Sequence, residues 1–540
     1  MCFPARSSAP SWPMGSRSRR IGSSQGSSSR LRPPGTKTRR GAGLRHRNLT
    51  LCLIAVLAVS RVLYIVYGPF DVSPDEAHYW EWSRRLDLSY YSKGPGVAYV
   101  IAFFTSILGP TELGIRLGAV VFSSLTTYLI YLIGRDVFKS EPAGSWGALL
   151  VNVTPIFSIG AILMTTDVLF IFFWVLAVYC LARALNGRTY WWYLSGLVIG
   201  LGFLSKYTMV FMYFSLFLIL VSSKQERRWF LRPEPYIMGL ISLIAVTPVI
   251  YWNISHGQVT IRHTIGQAHL GSGGLALSSL GDFFGSQAAL ATPLIFIGLI
   301  YGLARCAVKG WREAKSGLLL VFFAGAPLFL FFAIKSLHAK VQANWAVAAY
   351  AAAFPAALWA IEGFSKGRVR ALKAATIVMA VAATLIAYFP WTLGAFGASL
   401  LRRPPYNRVT GWAELGENVS RRSVEMAKEG PFFIASDTYQ ITSELALYTK
   451  GNPVVYNVVT GGRRMNQYDL WPGYFDLKGY NALYVKGGNA DAGGEFMVAF
   501  ERCGKEAVTL HWGGEPLKDF TVFRCYGFKG MERPNEYETY

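Results

Sequence analysis

"TLCLIAVLAVSRVLYIVYGPFDVSPDEAHYWEWSRRLDLSYYSKGPG" (residues 50–96) changes character abruptly after Phe70. Its first part is an apolar run long enough to cross a bilayer as a helix. Its second part carries Asp71, Asp75, Glu76, Glu81 and Lys93. Carboxylates beside an apolar helix are costly unless hydrated or paired, so the stretch reads as a membrane span followed by polar apparatus at one membrane face. Helical spacing also permits a purely local reading, in which Asp75 caps the helix of EAHYWEWSRRL and Glu81 pairs with Arg84 or Arg85.

The remainder of the chain favours the membrane. Of 540 residues, 52% are hydrophobic and 16% charged, and the mean hydropathy is +0.31. Apolar runs near 50–68, 113–134, 145–164, 168–185, 190–205, 207–222, 236–253, 288–307, 317–335, 344–362 and 374–393 predict a polytopic α-helical membrane protein with about 11 spans, in a range of about 10–13. Basic clusters fall at alternate loops: Arg135/Lys139, Arg183/Arg188, Lys224 to Arg232, Arg305 to Lys315 and Lys366 to Lys373. Positive loops stay in the cytoplasm, which puts the N-terminus inside and the long loop 69–112 outside. Residues 1–48 hold eleven Lys and Arg and no acid, half of the formal net charge of +22, in a Ser/Gly/Pro-rich setting. They read as a disordered basic cytoplasmic tail without the apolar core of a cleaved signal peptide. The basic balance therefore reports topology and gives no reason to expect nucleic acid as a partner. Gly196 and Gly200 on one span are read as helix packing, and no Walker-type phosphate loop is present.

From about residue 394 the spans stop. PFFIASD (431–437), PVVYNV (453–458), NALYVKG (481–487), EFMVAFERCG (495–504) and FTVFRCYGF (520–528) read as strands and ITSELALYTK (441–450) as a helix, so 394–540 is expected to form a periplasmic α/β domain. Cys503 and Cys525 lie in this outer region, where a disulfide is compatible with an oxidising compartment. The apolar segment 94–110 is too short to span and is expected to lie along the interface.

Polar residues gather at the outer ends of the spans. Lys93 sits in a Gly-Pro turn and suits a phosphate. Asp167 closes MTTD, Lys206 interrupts two spans in SKYT, and SHGQVTIRHTIGQAH supplies His256, Arg262, His263 and His269. KSLHAKVQANW adds Lys335, His338, Lys340 and Asn344. The histidine spacing lacks a Cys or HExxH partner, so no cofactor is indicated and a divalent metal is not called for. A carboxylate base among scattered cations suits transfer onto a hydroxyl or amine with phosphate as leaving group: the base takes the acceptor's proton and the cations neutralise charge on the departing phosphate. Two other classes are weighed against this enzyme, a flippase or transporter of lipid-linked substrates and a non-catalytic membrane scaffold. A transporter predicts ionisable residues and broken helices near the midplane, whereas here they concentrate at one face.

SPDEAHYWEWSRRLDLSYYSKGPGVAYVI, RLGAVVFSSLTTYLIY, LMTTDVLFIFFW, GLGFLSKYTMV, SHGQVTIRH and KVQANWAVAAY resemble, in this order, the bacterial branch of the protein mannosyltransferase superfamily. That branch includes the aminoarabinose lipid A transferases and the rhizobial galacturonosyl transferases. DTYQITSELALYTKGNPVVY and GGRRMNQYDLW are similar to the periplasmic domain of such relatives. The resemblance implies a GT-C fold over 49–393, with juxtamembrane helices in the first outer loop, and an inner-membrane glycosyltransferase of the cell envelope. Its donor would be a polyprenyl-phosphate sugar, its acceptor lipid A, lipopolysaccharide, another glycolipid or a protein, and its mechanism inverting. By position, the resemblance implies Asp75 as catalytic base and Glu76 as its acidic neighbour. It also implies Lys93, Asp167, Lys206, His263, Lys340 and Asn344 as substrate-binding residues, with Arg463 and Arg464 on a loop folding back over the cavity. The turn reads SKGPG where relatives more usually have Lys-Pro-Pro, which predicts a looser backbone at Gly94.

Overall fold

The computed structural model describes residues 35–268, 277–392, 405–459, 464–490, 494–512 and 514–533. Helices α1 (Gly35–Tyr67), α2 (Pro74–Ser83), α3 (Gly96–Leu108), α4 (Glu112–Asp136), α5 (Glu141–Val153), α6 (Pro155–Gly160), α7 (Thr166–Leu185), α8 (Tyr190–Ser205), α9 (Phe211–Ser222) and α10 (Glu234–Ser255) come first. They are followed by α11 (Val259–Ala268), α12 (Leu277–Ala291), α13 (Pro293–Arg312), α14 (Ser316–Ser336), α15 (Ala348–Ala351), α16 (Phe354–Trp359) and α17 (Lys366–Tyr388). Among the described residues seven helices are long and apolar enough to cross a membrane: α1 from Gly43, α4, α7, α10, α13, α14 and α17.

The other four expected spans are helical but short or interrupted. The 145–164 run breaks at Thr154, which is extended (ψ 120°), because a proline disfavours the helical region for the residue before it. The 344–362 run is a 3₁₀ turn (Ala343–Ala346) followed by α15 and α16. The helices α8 and α9 have 16 and 12 residues, and between them Lys206 is extended (φ −154°, ψ 128°). Non-helical backbone at this depth is tolerated where it is buried in protein or lines a cavity. Gly196 and Gly200 do pack helices: a Cβ on Gly196 would stand 2.4 Å from the Met238 carbonyl oxygen, and one on Gly200 2.6 Å from the Ala245 Cβ. The first helix begins at Gly35, inside the segment whose composition predicts disorder. Lys and Arg are good helix formers, and an apolar helix already nucleated propagates into them. With 13 residues, α3 rises about 20 Å, short of a bilayer.

The C-terminal sheet domain contains α18 (Trp412–Met426), β1 (Phe432–Ser436), α19 (Tyr439–Tyr448), β2 (Val455–Asn457), β3 (Asn481–Gly487), α20 (Glu495–Val498), β4 (Arg502–Trp512) and β5 (Glu515–Tyr526). The strand order is β2-β1-β3-β5-β4; β1 is parallel to β2 and β3, while β5 is antiparallel to β3 and β4. The strand expected over 495–504 is a correction. Its first half is a helical turn that sends Phe496 and Phe500, four residues apart, into one aromatic cluster with Tyr474 and Phe528, and the strand starts only at Arg502. Cys503 and Cys525 face each other across β4 and β5 and form a disulfide.

The sheet domain rests on α2. Ala77, Trp80 and Trp82 share one apolar cluster with Leu415, Ile441 and Leu445. The Asp71 carboxylate accepts from the Trp412 N–H at 2.7 Å, so it caps α18; Tyr448 accepts from the Val72 N–H at 2.7 Å and donates to Glu112 at 2.8 Å. Glu76, fully buried, holds α2 itself. Its carboxylate receives both forks of Arg116 on α4 at 3.1 Å, the Ser73 N–H at 3.0 Å and the Met164 N–H at 2.8 Å. Arg116 completes its donors on the carbonyls of Phe70 and Asp71. Breaking a buried ion pair from one side leaves an uncompensated charge, which typically costs about 3–5 kcal/mol. Glu76→Ala and Arg116→Ala are each expected to lose about that much in thermal or denaturant unfolding of the purified protein. The double Glu76→Met/Arg116→Met variant should recover much of it, and single losses below about 1 kcal/mol would overturn the assignment.

Candidate active site

A cavity of about 720 Å³ lies between the membrane helices and the sheet domain. Asp75, Lys93, Asp167, Lys206, His263 and Asn344 line it from the membrane side, and Arg408, Tyr439, Arg464 and Gln467 from the sheet-domain side.

Asp75 reaches the cavity from the first turn of α2. The cap of that helix is Ser73, in a capping box with Glu76, so Asp75 is not the cap. The Tyr439 hydroxyl donates to Asp75 Oδ1 at 3.1 Å; Oδ2 has no hydrogen-bond partner among the described residues. Burial and the neighbouring Asp75 charge push the Tyr439 hydroxyl pKa up, so the group stays a donor.

Lys93 is presented by a turn closed by the Tyr90 N–H on the Lys93 carbonyl at 3.1 Å. The looser backbone expected at Gly94 does not occur. A Cβ there would stand 2.1 Å from the Leu204 carbonyl oxygen, because the turn is wedged against the end of α8. The Lys93 ammonium makes no hydrogen bond or ion pair among the described residues. Burial and then Lys206 lower its pKa, while Asp167 and Asp75 work in the other direction. An incoming anion would complete this site.

Asp167 joins three distant segments, with Oδ1 on the Lys206 ammonium at 2.5 Å and Oδ2 on the Asn344 amide at 2.6 Å. The helix break at Lys206 is what aims that lysine inward. His263 lies against the Tyr91 ring, centroids 4.7 Å apart. The structure does not bring Glu76 or Lys340 to the cavity. Glu76 is consumed by the Arg116 pair, and Lys340 is exposed outside the lining. His256 stacks on Trp252, and His269 and Arg463 lie outside the described residues. Among the described residues no three His, Cys, Asp or Glu side chains gather as a metal site. Sequence reasoning missed Tyr439, Gln467 and Arg408, which sit far along the chain with no local mark. It also missed the partner of Glu76, although an arginine at the start of an apolar span was a signal that a buried acid had to be near.

Residues 92–252 match the family model for dolichyl-phosphate-mannose-protein mannosyltransferase. Two solved structures of ArnT from Cupriavidus metallidurans, one apo and one bound to undecaprenyl phosphate, superpose with TM-scores of 0.60 over 88% of this chain and 97% of theirs, at 12% and 14% identity. The chain has the fold of these ArnT structures. It is also similar to the lipid A galacturonosyltransferase RgtD of Rhizobium johnstonii, 28% identical over 315 residues, 57% of this chain and 64% of that protein. An undecaprenyl phosphate-alpha-4-amino-4-deoxy-L-arabinose arabinosyl transferase of Proteus mirabilis is 25% identical over 171 residues, 28% of this chain and 31% of that protein. The aligned stretches thus span less than two thirds of either curated relative.

One further residue of this cavity was not foreseen. His78, one turn after Asp75, accepts from the Trp82 indole N–H on Nε2 at 3.2 Å, which fixes the neutral Nδ1–H tautomer. The ring is packed by Tyr439 and Tyr468, and burial lowers its pKa to about 3. An unfolded histidine protonates near pH 6.5, so proton binding favours the unfolded chain. The stabilising difference is intact above about pH 6.5 and is lost as pH falls toward 3, by about 1.4 kcal/mol per pH unit. His78→Gln is therefore expected to flatten the acid limb of the stability profile. The native-minus-variant difference should shrink by about 2 kcal/mol between pH 7 and pH 5 in denaturant unfolding, and parallel profiles would contradict the neutral ring.

Proposed function

We propose that the protein is a membrane glycosyltransferase that moves one sugar from a polyprenyl-phosphate carrier to an envelope acceptor at the outer face of the bacterial inner membrane. The observation that carries this reading is the junction of two cavities. The polar cavity holding Asp75 and Lys93 shares Thr165, Asp167 and Asn344 with an apolar cavity of about 270 Å³. A substrate with a charged head and a hydrocarbon tail fits both at once. A water-soluble nucleotide sugar leaves the apolar arm unused. The relatives' own names, a lipid A galacturonosyltransferase and an undecaprenyl phosphate-aminoarabinose transferase, support the same donor class, with lipid A or another lipopolysaccharide component ahead of other glycolipids or protein as acceptor. The Cys503–Cys525 disulfide and the alternating basic loops support a periplasmic sheet domain and a cytoplasmic N-terminus.

In this mechanism the free Oδ2 of Asp75 takes the proton of the acceptor hydroxyl. The acceptor oxygen forms a bond to the anomeric carbon as the bond from that carbon to the carrier phosphate oxygen breaks. The electron pair leaves with the phosphate, opposite the attack, so the anomeric centre inverts. Lys93 neutralises the charge that develops on the phosphate, in a site shielded from bulk water where such a cation acts strongly. The Asp167–Lys206–Asn344 set fixes the wall between head and tail, and Tyr439 keeps Asp75 oriented.

Removing a positioned general base typically costs about 10²–10⁴-fold in rate. Asp75→Asn is expected to lose that much transfer of label from radiolabelled polyprenyl-phosphate sugars to envelope lipids, with unfolding behaviour unchanged. Lys93→Gln should weaken donor use and turnover together. Near-native turnover by Asp75→Asn would show that the base is another group.

A further inference from the structure

We infer that the cavity contains a second anion subsite, formed by Arg408 and Arg464 on the sheet-domain wall, for an acidic group of the substrate other than the carrier phosphate. This inference rests on the glycosyltransferase reading above and adds the charge class of what is transferred or of what receives it.

The cations of the cavity are not equivalent. Lys206 is committed to Asp167 at 2.5 Å. Asp437, an acid of the sheet-domain wall, is already balanced by Lys486 at 3.5 Å. Arg408 lines the same wall exposed, and its guanidinium has no ion pair or hydrogen bond among the described residues. Arg464 stands on that wall beside Asn466 and Gln467. The position of Arg408 follows from its neighbours: its charge acts on Tyr439, the residue that touches Asp75 Oδ1. The charges that act on Lys93 are Lys206, Asp167 and Asp75. Two cationic stations therefore flank Asp75, Lys93 on the Asp167 side and Arg408 on the Tyr439 side. One carrier phosphate occupies one of them. The other, Arg408 on the exposed sheet-domain wall, then stands open to a second anionic group of the substrate. The planar guanidinium fork matches a carboxylate or a phosphate oxyanion. Such a group reaches this wall from one of two sources, a carboxylate on the transferred sugar or a phosphate on the acceptor glycolipid.

The test uses the full-length protein in lipid nanodiscs and two matched pairs of probes. One pair is undecaprenyl-phosphate galacturonate against undecaprenyl-phosphate galactose; the other is bisphosphorylated lipid A against its dephosphorylated form. Equilibrium binding is measured for the native protein, for Arg408→Gln, for Arg408→Gln/Arg464→Gln and for Lys93→Gln. A charge-assisted arginine contact predicts that the native protein prefers the acidic member of one pair by about tenfold. The double variant should lose that preference while binding the neutral member as before, and Lys93→Gln should weaken both donors alike. The pair that shows the preference identifies the source. A native preference below about twofold in both pairs, or one that survives in the double variant, overturns the subsite. Failure of the underlying reading is a separate result: no label transferred by the native protein from either donor, whatever the binding preference.

Discussion

The buried pair of Glu76 and Arg116 is the contact on which the geometry of the cavity depends. One carboxylate closes the cap of α2, ties that helix to α4 and receives the Met164 N–H three residues before Asp167. Asp75 precedes Glu76 directly. A single desolvated charge pair thus fixes the spacing between the two acids that face the substrate space, one on the juxtamembrane helix and one at the start of α7. Two neighbouring acids in sequence take opposite duties because successive helical residues diverge by about 100°: Glu76 turns into the protein and Asp75 turns out to the cavity.

Much of the architecture was legible because a bilayer imposes length and apolarity on every element that crosses it. All eleven apolar runs are helical over most of their described residues, and the basic loops alternate as a multi-pass chain requires. Interruptions were less legible. Thr154 could be anticipated from Pro155, whereas the extended residue at Lys206 has no proline after it and shows in sequence only as a cation between two greasy runs. The 495–504 segment was misread because a short apolar run does not reveal its period; the spacing of Phe496 and Phe500 fits a helical turn as well as a strand. Among site residues, Asp75, Lys93, Asp167 and Lys206 stood out as charges beside membrane spans. Glu76 stood out for the same reason but belongs to the scaffold, and sequence alone does not say which of two adjacent carboxylates a helix will bury. Lys340 was grouped with the other cations at the ends of the spans yet lies exposed outside the cavity lining. Tyr439, Gln467 and Arg408 became visible only when the sheet domain was folded onto α2.

The two halves of the cavity are built by different means. On the membrane side, broken helices aim charged side chains at a depth where each must be paired or await a ligand. On the sheet-domain side the residues come from loops and helix starts at the edge of a small α/β layer, where exposure makes an arginine inexpensive to keep unpaired. Chemistry common to many substrates fits the first wall and discrimination among them fits the second, since changes at a solvated edge disturb little packing.

The way the sheet domain covers α2 makes the two parts of the chain structurally interdependent. Ala77, Trp80 and Trp82 are buried in a cluster shared with Leu415, Ile441 and Leu445, and the amides at the start of α18 are capped by Asp71. A chain ending after α17 would present that indole-rich surface to water and leave the Asp71 carboxylate without its amide partners. The sheet domain is therefore not a module joined only through a linker. It forms one packed unit with the segment 71–82, and neither surface is complete without the other.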